Sequence, residues 1–370
     1  MSNEMIQRRK TRTVTVGSVK IGSGHPVAIQ SMTKTDTLDV DATVRQIRGL
    51  EKEGCELVRV AVREPESARA ISRIKSGIHI PIIADIHFDH KLALEAITHG
   101  ADKIRINPGN ITNPAHIDRI IDSASEKGIP VRLGVNSGSL PDAGAAASPA
   151  GAMVSPLLRY LEHFRRRDFN DIVISLKSSS VSATVEAYRR MAAECDYPFH
   201  LGITATGTPA WGIVRSSVGI GALLLDGIGD TIRVSLTGDP DVEVDTARRI
   251  LVSAGVRHFG PEIISCPTCG RCQVDLVPMV RELEDELGLD AGEGSRKAKG
   301  EGPGAKSPLV IAVMGCEVNG PGEAKNADIG VAFGRGRGVV FRKGRIVKTV
   351  EASNAVRELA AMVRKEEDEA

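Results

Sequence analysis

Between Val27 and about Gly255, eight short β-prone runs recur, most of them followed by a helix-like stretch, and few folds accept that alternation. The runs are Val27–Gln30, Glu56–Val62, Pro81–Ile86, Lys103–Asn107, Val131–Val135, Asp171–Leu176, Phe199–Ile203 and Thr231–Leu236. Between them lie Asp41–Glu53, Lys91–His99, Asn113–Lys127, Val181–Glu194 and Asp241–Ala254. The last places Val244, Ile250 and Leu251 around polar arginines, a helical rather than a strand period. The pattern predicts an α/β chain, a (β/α)8 barrel of the TIM type. A doubly wound open sheet competes, but no Gly-rich dinucleotide fingerprint follows the first strand.

After Phe259 the pattern changes. Leu309–Val313, Ile329–Phe333, Val339–Arg342 and Arg345–Val350 read as strands and Asn354–Arg364 as a closing helix, a smaller α+β unit. The expected division is therefore a barrel over residues 1–258 and a second domain over 259–370, with an insertion near 290–307. Pro141–Gly151 and Asp290–Ser307 are Gly-, Pro- and Ala- or charge-rich and read as loops. Lys plus Arg number 48 against 47 Asp plus Glu, so no global basic field points to nucleic acid or to a membrane surface. No apolar leader or 18-residue apolar run is present, and a cytoplasmic protein is expected.

Four strand candidates carry an arginine between apolar neighbours: Arg59, Arg105, Arg132 and Arg233. Strand alternation points each guanidinium away from the residues that pack on the helix layer, and so into the barrel. Buried guanidinium groups need carboxylates or a bound anion. Asp85, His87, Asn107, Asn136, Lys177, His200 and Asp230 fall near strand ends. Asp85 or Asp230 could supply ordinary structural ion pairs. Four arginines together, at the face where such barrels react, favour a phosphorylated or diphosphorylated small molecule.

Six cysteines are present, and Cys266, Cys269, Cys272 and Cys316 crowd the last third. Cys55 and Cys195 read as small buried hydrophobes. Cys266-Pro-Thr-Cys269 puts two sulfurs on one tight turn, as a tetrahedral metal or one edge of an iron–sulfur cube requires. Cys316 to Glu323 adds a third thiolate and a carboxylate on a loop tightened by Gly320, Pro321 and Gly322. With Cys272 the set could instead be four thiolates, on zinc or on a cluster. A carboxylate on one iron would be more easily displaced than a thiolate.

These motifs resemble the 4-hydroxy-3-methylbut-2-en-1-yl diphosphate synthase family over nearly the whole chain. The likeness runs through Gln30-Ser-Met-Thr33, Lys103-Ile-Arg-Ile-Asn-Pro-Gly-Asn110, Arg132-Leu-Gly-Val-Asn-Ser-Gly-Ser-Leu140, His200-Leu-Gly-Ile-Thr204, Gly227-Ile-Gly-Asp-Thr-Ile-Arg-Val-Ser235 and both cysteine motifs. The resemblance implies reductive opening of 2-C-methyl-D-erythritol 2,4-cyclodiphosphate, with electrons from flavodoxin or ferredoxin. It implies a [4Fe–4S] cluster on Cys266, Cys269, Cys316 and Glu323, and a homodimer. The expected substrate ligands are Arg59, Arg105, Asn107, Arg132, Asn136, Lys177, His200 and Arg233, with Glu323 and His87 as catalytic candidates. Two positions depart from the family pattern: Ala205 stands where it has Glu, and Ser180 where it has Asp. Rival readings are a barrel enzyme for another phosphorylated metabolite and a zinc-stapled binding protein.

Overall fold

The computed structural model describes residues 6–139, 148–289 and 308–368. The chain divides into two compact units, Met1–Arg257 and His258–Ala370. The expected insertion at 290–307 lies outside the described residues, as does 141–147 of the expected loop.

In the first unit an antiparallel hairpin, β1 (Val14–Val16) and β2 (Val19–Ile21), precedes eight parallel strands. These are β3 (Ala28–Met32), β4 (Leu57–Val62), β5 (Ile82–Ile86), β6 (Lys103–Ile106), β7 (Val131–Asn136), β8 (Ile172–Lys177), β9 (His200–Leu201) and β10 (Thr231–Ile232). They pair in the order β8-β7-β6-β5-β4-β3-β10-β9, and a bridge from Ile174 to Phe199 joins the two ends. The barrel is thus closed, with helices between strands.

The strand alternation sorts the barrel interior into levels. Near the strand starts, Ala28, Leu57, Ile83 and Val173 pack with Val14, Val16 and Ile21 of the hairpin, an apolar plug. Each fully buried Leu, Ile or Val there contributes roughly 1.5–3 kcal/mol. Two residues further along the same faces the side chains become Arg59, Asp85 and Ser175, and the interior turns polar. The plug closes one end; charge collects towards the other.

Strands β9 and β10 end at Leu201 and Ile232, earlier than the sequence predicts. Beyond them the backbone groups find partners outside the ladder: Leu236 N–H donates to Glu243 Oε1 (2.9 Å) and Thr204 N–H to Ser178 O (3.2 Å). Three helices described in this unit escape the sequence reading: Pro65–Ser76, Pro149–Arg166 and Pro209–Leu225. All begin with proline, which suits a first helical turn but resembles loop punctuation in a sequence. The second corrects the expected loop at Pro141–Gly151, since Ser148 Oγ caps it by accepting from Gly151 N–H at 3.1 Å.

The second unit is a five-stranded sheet, β11 (Glu262–Ser265), β12 (Val310–Met314), β13 (Ile329–Gly334), β14 (Arg337–Arg342) and β15 (Arg345–Glu351), in sequential order. The first three are parallel, the last three antiparallel. Ile311, Val313, Val331 and Phe333 join Leu283 and Leu359 of the helices Leu276–Glu286 and Ala355–Asp368 in one core. The alternate residues Ala312, Met314 and Ala332 pack with Ala324 of a short helix, Gly320–Asn326. That helix corrects the expectation of a loop at Gly320-Pro321-Gly322: Pro321 sits in its first turn.

Candidate functional site

The barrel interior gathers six basic side chains, Arg59, Lys103, Arg105, Arg132, Lys177 and Arg233, around two carboxylates, Asp85 and Glu243. Asp85 lies 3.2 Å from Arg105 Nη1, 3.7 Å from Arg59 Nε and 3.2 Å from His87 Nε2. Burial alone would raise its carboxyl, but the Arg59 charge, the His87 hydrogen bond and the Arg105 and Arg132 charges hold it well below the usual range. Glu243, on the helix Pro240–Ser253, accepts from Arg233 Nη2 at 3.0 Å and pairs with Lys34 at 3.2 Å.

The remaining bonds leave donors over. Arg59 faces a weak acceptor, Met32 Sδ, at 2.9 and 3.1 Å. Arg105 Nη2 donates to Gly134 O (3.2 Å) and Arg132 Nη1 to Gln30 Oε1 (3.4 Å). The buried nitrogens Arg105 Nε, Arg132 Nε, Arg233 Nε and Lys103 Nζ have no hydrogen-bond partner among the described residues. Unpaired buried donors are costly, and an anion would relieve them. Burial pushes Arg132, Lys103 and Lys177 well below their ordinary pKa values, and neighbouring cations add to it. Gly134 is required by space: a Cβ there would lie 2.8 Å from Arg105 Nε and 2.9 Å from Ser175 Oγ.

Lys177, at the end of β8, lies 3.1 Å from His200 Nε2, and His200 Nδ1 lies 2.8 Å from Thr231 Oγ1. Asn107 is buried, its Oδ1 accepting from Gly109 N–H at 3.0 Å, while Asn136 closes β7 half-buried. His87 is exposed beside Asp85. Asp230 lies elsewhere: it precedes β10, pairs with Arg8 at 2.8 Å and accepts from Phe199 N–H, so it serves the barrel wall. Lys103 escaped the sequence reading, although it stands two residues before Arg105 and so on the same face. Glu243 gave no such signal, being on a helix. Ala205 is exposed with φ of 52° and brings no carboxylate; Ser180 caps its helix by accepting from Ala183 N–H (3.2 Å).

In the second unit Thr268, at φ of 47°, turns the chain between Cys266 and Cys269. Gly315 N–H donates to Cys266 Sγ at 3.3 Å. The Cys316 thiol lies below its ordinary pKa through the nearby backbone N–H groups of Asn319 and Val318, with Gly320 and the Arg271 charge assisting. Sulfurs provided with N–H donors fit an iron–sulfur cluster, whose thiolate ligands are tuned by such bonds. A cube takes one outer ligand per iron, so its ligand atoms surround it at wider spacing than around one ion; among the described residues no three His, Cys, Asp or Glu gather as around a single ion. Cys269 and Glu323 are exposed, the latter in the first turn of Gly320–Asn326. Cys272 Sγ points at Val274 O (3.3 Å) and crowds Gly315, where a Cβ would lie 2.2 Å from that sulfur. Gly315→Ala is therefore expected to destabilise this unit by about 1–3 kcal/mol. Adding Cys272→Ala should remove most of that loss in thermal unfolding; a double variant no more stable than Gly315→Ala would place the strain elsewhere.

Residues 11–248 match the GcpE TIM-barrel domain and residues 262–365 the GcpE protein C-terminal domain. The chain belongs to the GcpE family. It is 51% identical over 364 residues to the "4-hydroxy-3-methylbut-2-en-1-yl diphosphate synthase (flavodoxin)" of Thermodesulfovibrio yellowstonii, covering 98% of this chain and 100% of that one. The proteins of the same name from Nitratidesulfovibrio vulgaris and Caldanaerobacter subterraneus are 50% and 48% identical, over 94% and 98% of this chain and 87% and 99% of theirs. No helix among the described residues is long and apolar enough to cross a membrane.

Proposed function

We propose that this GcpE-family chain is a 4-hydroxy-3-methylbut-2-en-1-yl diphosphate synthase. It takes 2-C-methyl-D-erythritol 2,4-cyclodiphosphate, opens the ring, removes the C3 oxygen as water and receives two electrons from flavodoxin. The basic barrel interior carries the reading: it has more cations than carboxylates and buried donors with no bond to make, which suits a cyclic diphosphate. Arg59, Arg105, Arg132, Lys177 and Arg233 bind its phosphate oxygens; Asn107, Asn136 and His200 complete the wall. Asp85 bridges Arg59 and Arg105, one carboxylate oxygen to each, and so holds both in place. His87, bonded to Asp85, is the further catalytic candidate at the rim.

The chain is an iron–sulfur enzyme in this reading, and Cys266, Cys269, Cys316 and Glu323 hold a [4Fe–4S] cluster. Such a cluster supplies electrons one at a time and an iron with a displaceable oxygen ligand. The exposure of Glu323 agrees with a ligand that exchanges. A cytoplasmic homodimer belongs to the same reading. The experiment is anaerobic: the cluster-loaded chain with the cyclodiphosphate and reduced flavodoxin should release the linear diphosphate. No product with flavodoxin or with dithionite would defeat the reading, and a colourless protein carrying zinc would defeat its cofactor.

A further inference from the structure

The reduction consumes a proton. When the C2–O bond to phosphate breaks, the phosphate keeps that electron pair. Two electrons from reduced flavodoxin form the C2–C3 double bond as the C3–O bond breaks, and the departing oxygen needs one proton to leave as water. The groups facing the basic interior differ in their capacity to give one. Arginine holds its proton too tightly. Asp85 is ionised among its cations, and Glu243 is committed to Arg233 and to the Leu236 N–H. His87 stands exposed at the rim with Nε2 held by Asp85, so within the buried interior the two lysines remain.

Their places in the barrel separate them. Lys103 begins β6 at the level of Ile83, which belongs to the apolar plug. Lys177 ends β8, at the face where barrels of this kind carry out chemistry. Its ammonium can only donate, so His200 Nε2 accepts at 3.1 Å, and His200 carries its own proton on Nδ1 towards Thr231 Oγ1 at 2.8 Å. The Nζ atom is held over Gly202, where a Cβ would lie 2.6 Å away. His200 is fully buried, so its ring cannot turn aside to water.

Resting on the function proposed above, we propose that Lys177 is the acid that protonates the departing C3 oxygen, with His200 as the positioning residue that aims its Nζ. The electrostatics agree with the geometry. Before substrate binds, burial and then the charges of Arg132, Arg59, Arg233 and Arg105 press the ammonium well below a free lysine. The amine left behind recovers its proton from water after product leaves.

The test separates acid from charge. Lys177→Arg keeps the charge but not a transferable proton, and kcat should fall at least about 100-fold. Binding of the cyclodiphosphate, read by calorimetry, should change only severalfold. Lys177→Ala should regain turnover with added small primary amines, at rates that follow the amine pKa; this arm decides the matter even if the arginine variant folds poorly. A Lys177→Arg enzyme with near-normal kcat, or Lys177→Ala deaf to amines with its loss confined to binding, overturns the proposal. An inactive wild-type enzyme would instead defeat the function itself.

Discussion

Asp85→Asn is expected to lower the unfolding free energy by about 3–5 kcal/mol, the cost of leaving buried cations without their counter-charge. Asp85 is 3% exposed and is the carboxylate bonded to Arg105, to His87 and, more loosely, to Arg59. An asparagine of nearly the same shape keeps an acceptor oxygen but removes the charge, so packing is unchanged and the electrostatic part is isolated. Inorganic diphosphate should restore part of the lost stability by binding the same cations in the folded chain alone. Denaturant titration of both proteins, with and without diphosphate, reads the effect. A loss below about 1 kcal/mol would mean that the arginines are hydrated or neutralised by some other group.

The same carboxyl predicts a pH dependence whose sign follows from linkage. Its folded-state pKa is depressed, because Arg59, His87, Arg105 and Arg132 together outweigh burial. Its stabilisation is then fully present above the unfolded value of about 3.9 and is lost as pH falls below it, towards the folded value. The difference in stability between wild type and Asp85→Asn should accordingly be flat from pH 7 to about 5 and shrink in stronger acid. A difference that grew on acidification would require Asp85 to be protonated in the folded chain at neutral pH.

What the sequence revealed followed from period-two patterning. Arg59, Arg105 and Arg132 were readable because each lies between β-branched or leucine residues on a strand, which leaves one direction for the guanidinium. The same rule extends to Lys103, yet a lysine at the start of a strand looks like a solvated end until the closed barrel buries it. Partner choice was less legible. Asp85 and Asp230 both fall near ends of expected strands, but one stands inside β5 and the other ahead of β10, where Arg8 from the N-terminal segment meets it. Glu243 reaches Arg233 from a helix, a contact that depends on tertiary packing alone. The Gly320–Asn326 helix was hidden by two glycines and a proline, residues that punctuate loops but also open helices.

Cys316→Ala and Cys272→Ala should part sharply, and the contrast tests the ligand set. Removing a group that merely supports a metal ligand costs about 10–100-fold in affinity or activity. Removing a ligand should exceed that, so anaerobically purified Cys316→Ala is expected to lose the brown absorbance and retain well under one cluster's iron, with turnover down by more than about 100-fold. The backbone favours this choice, since the N–H groups of Asn319, Val318 and Gly320 hold the Cys316 thiol below its ordinary pKa. Cys272 is placed differently: its thiol donates to Val274 O and crowds Gly315. Cys272→Ala should therefore keep the iron content and the spectrum of the parent. If Cys272→Ala loses iron while Glu323→Gln keeps it, the fourth corner belongs to a thiolate. The cluster would then have no readily displaced oxygen ligand, and its part in ring opening would reduce to electron delivery.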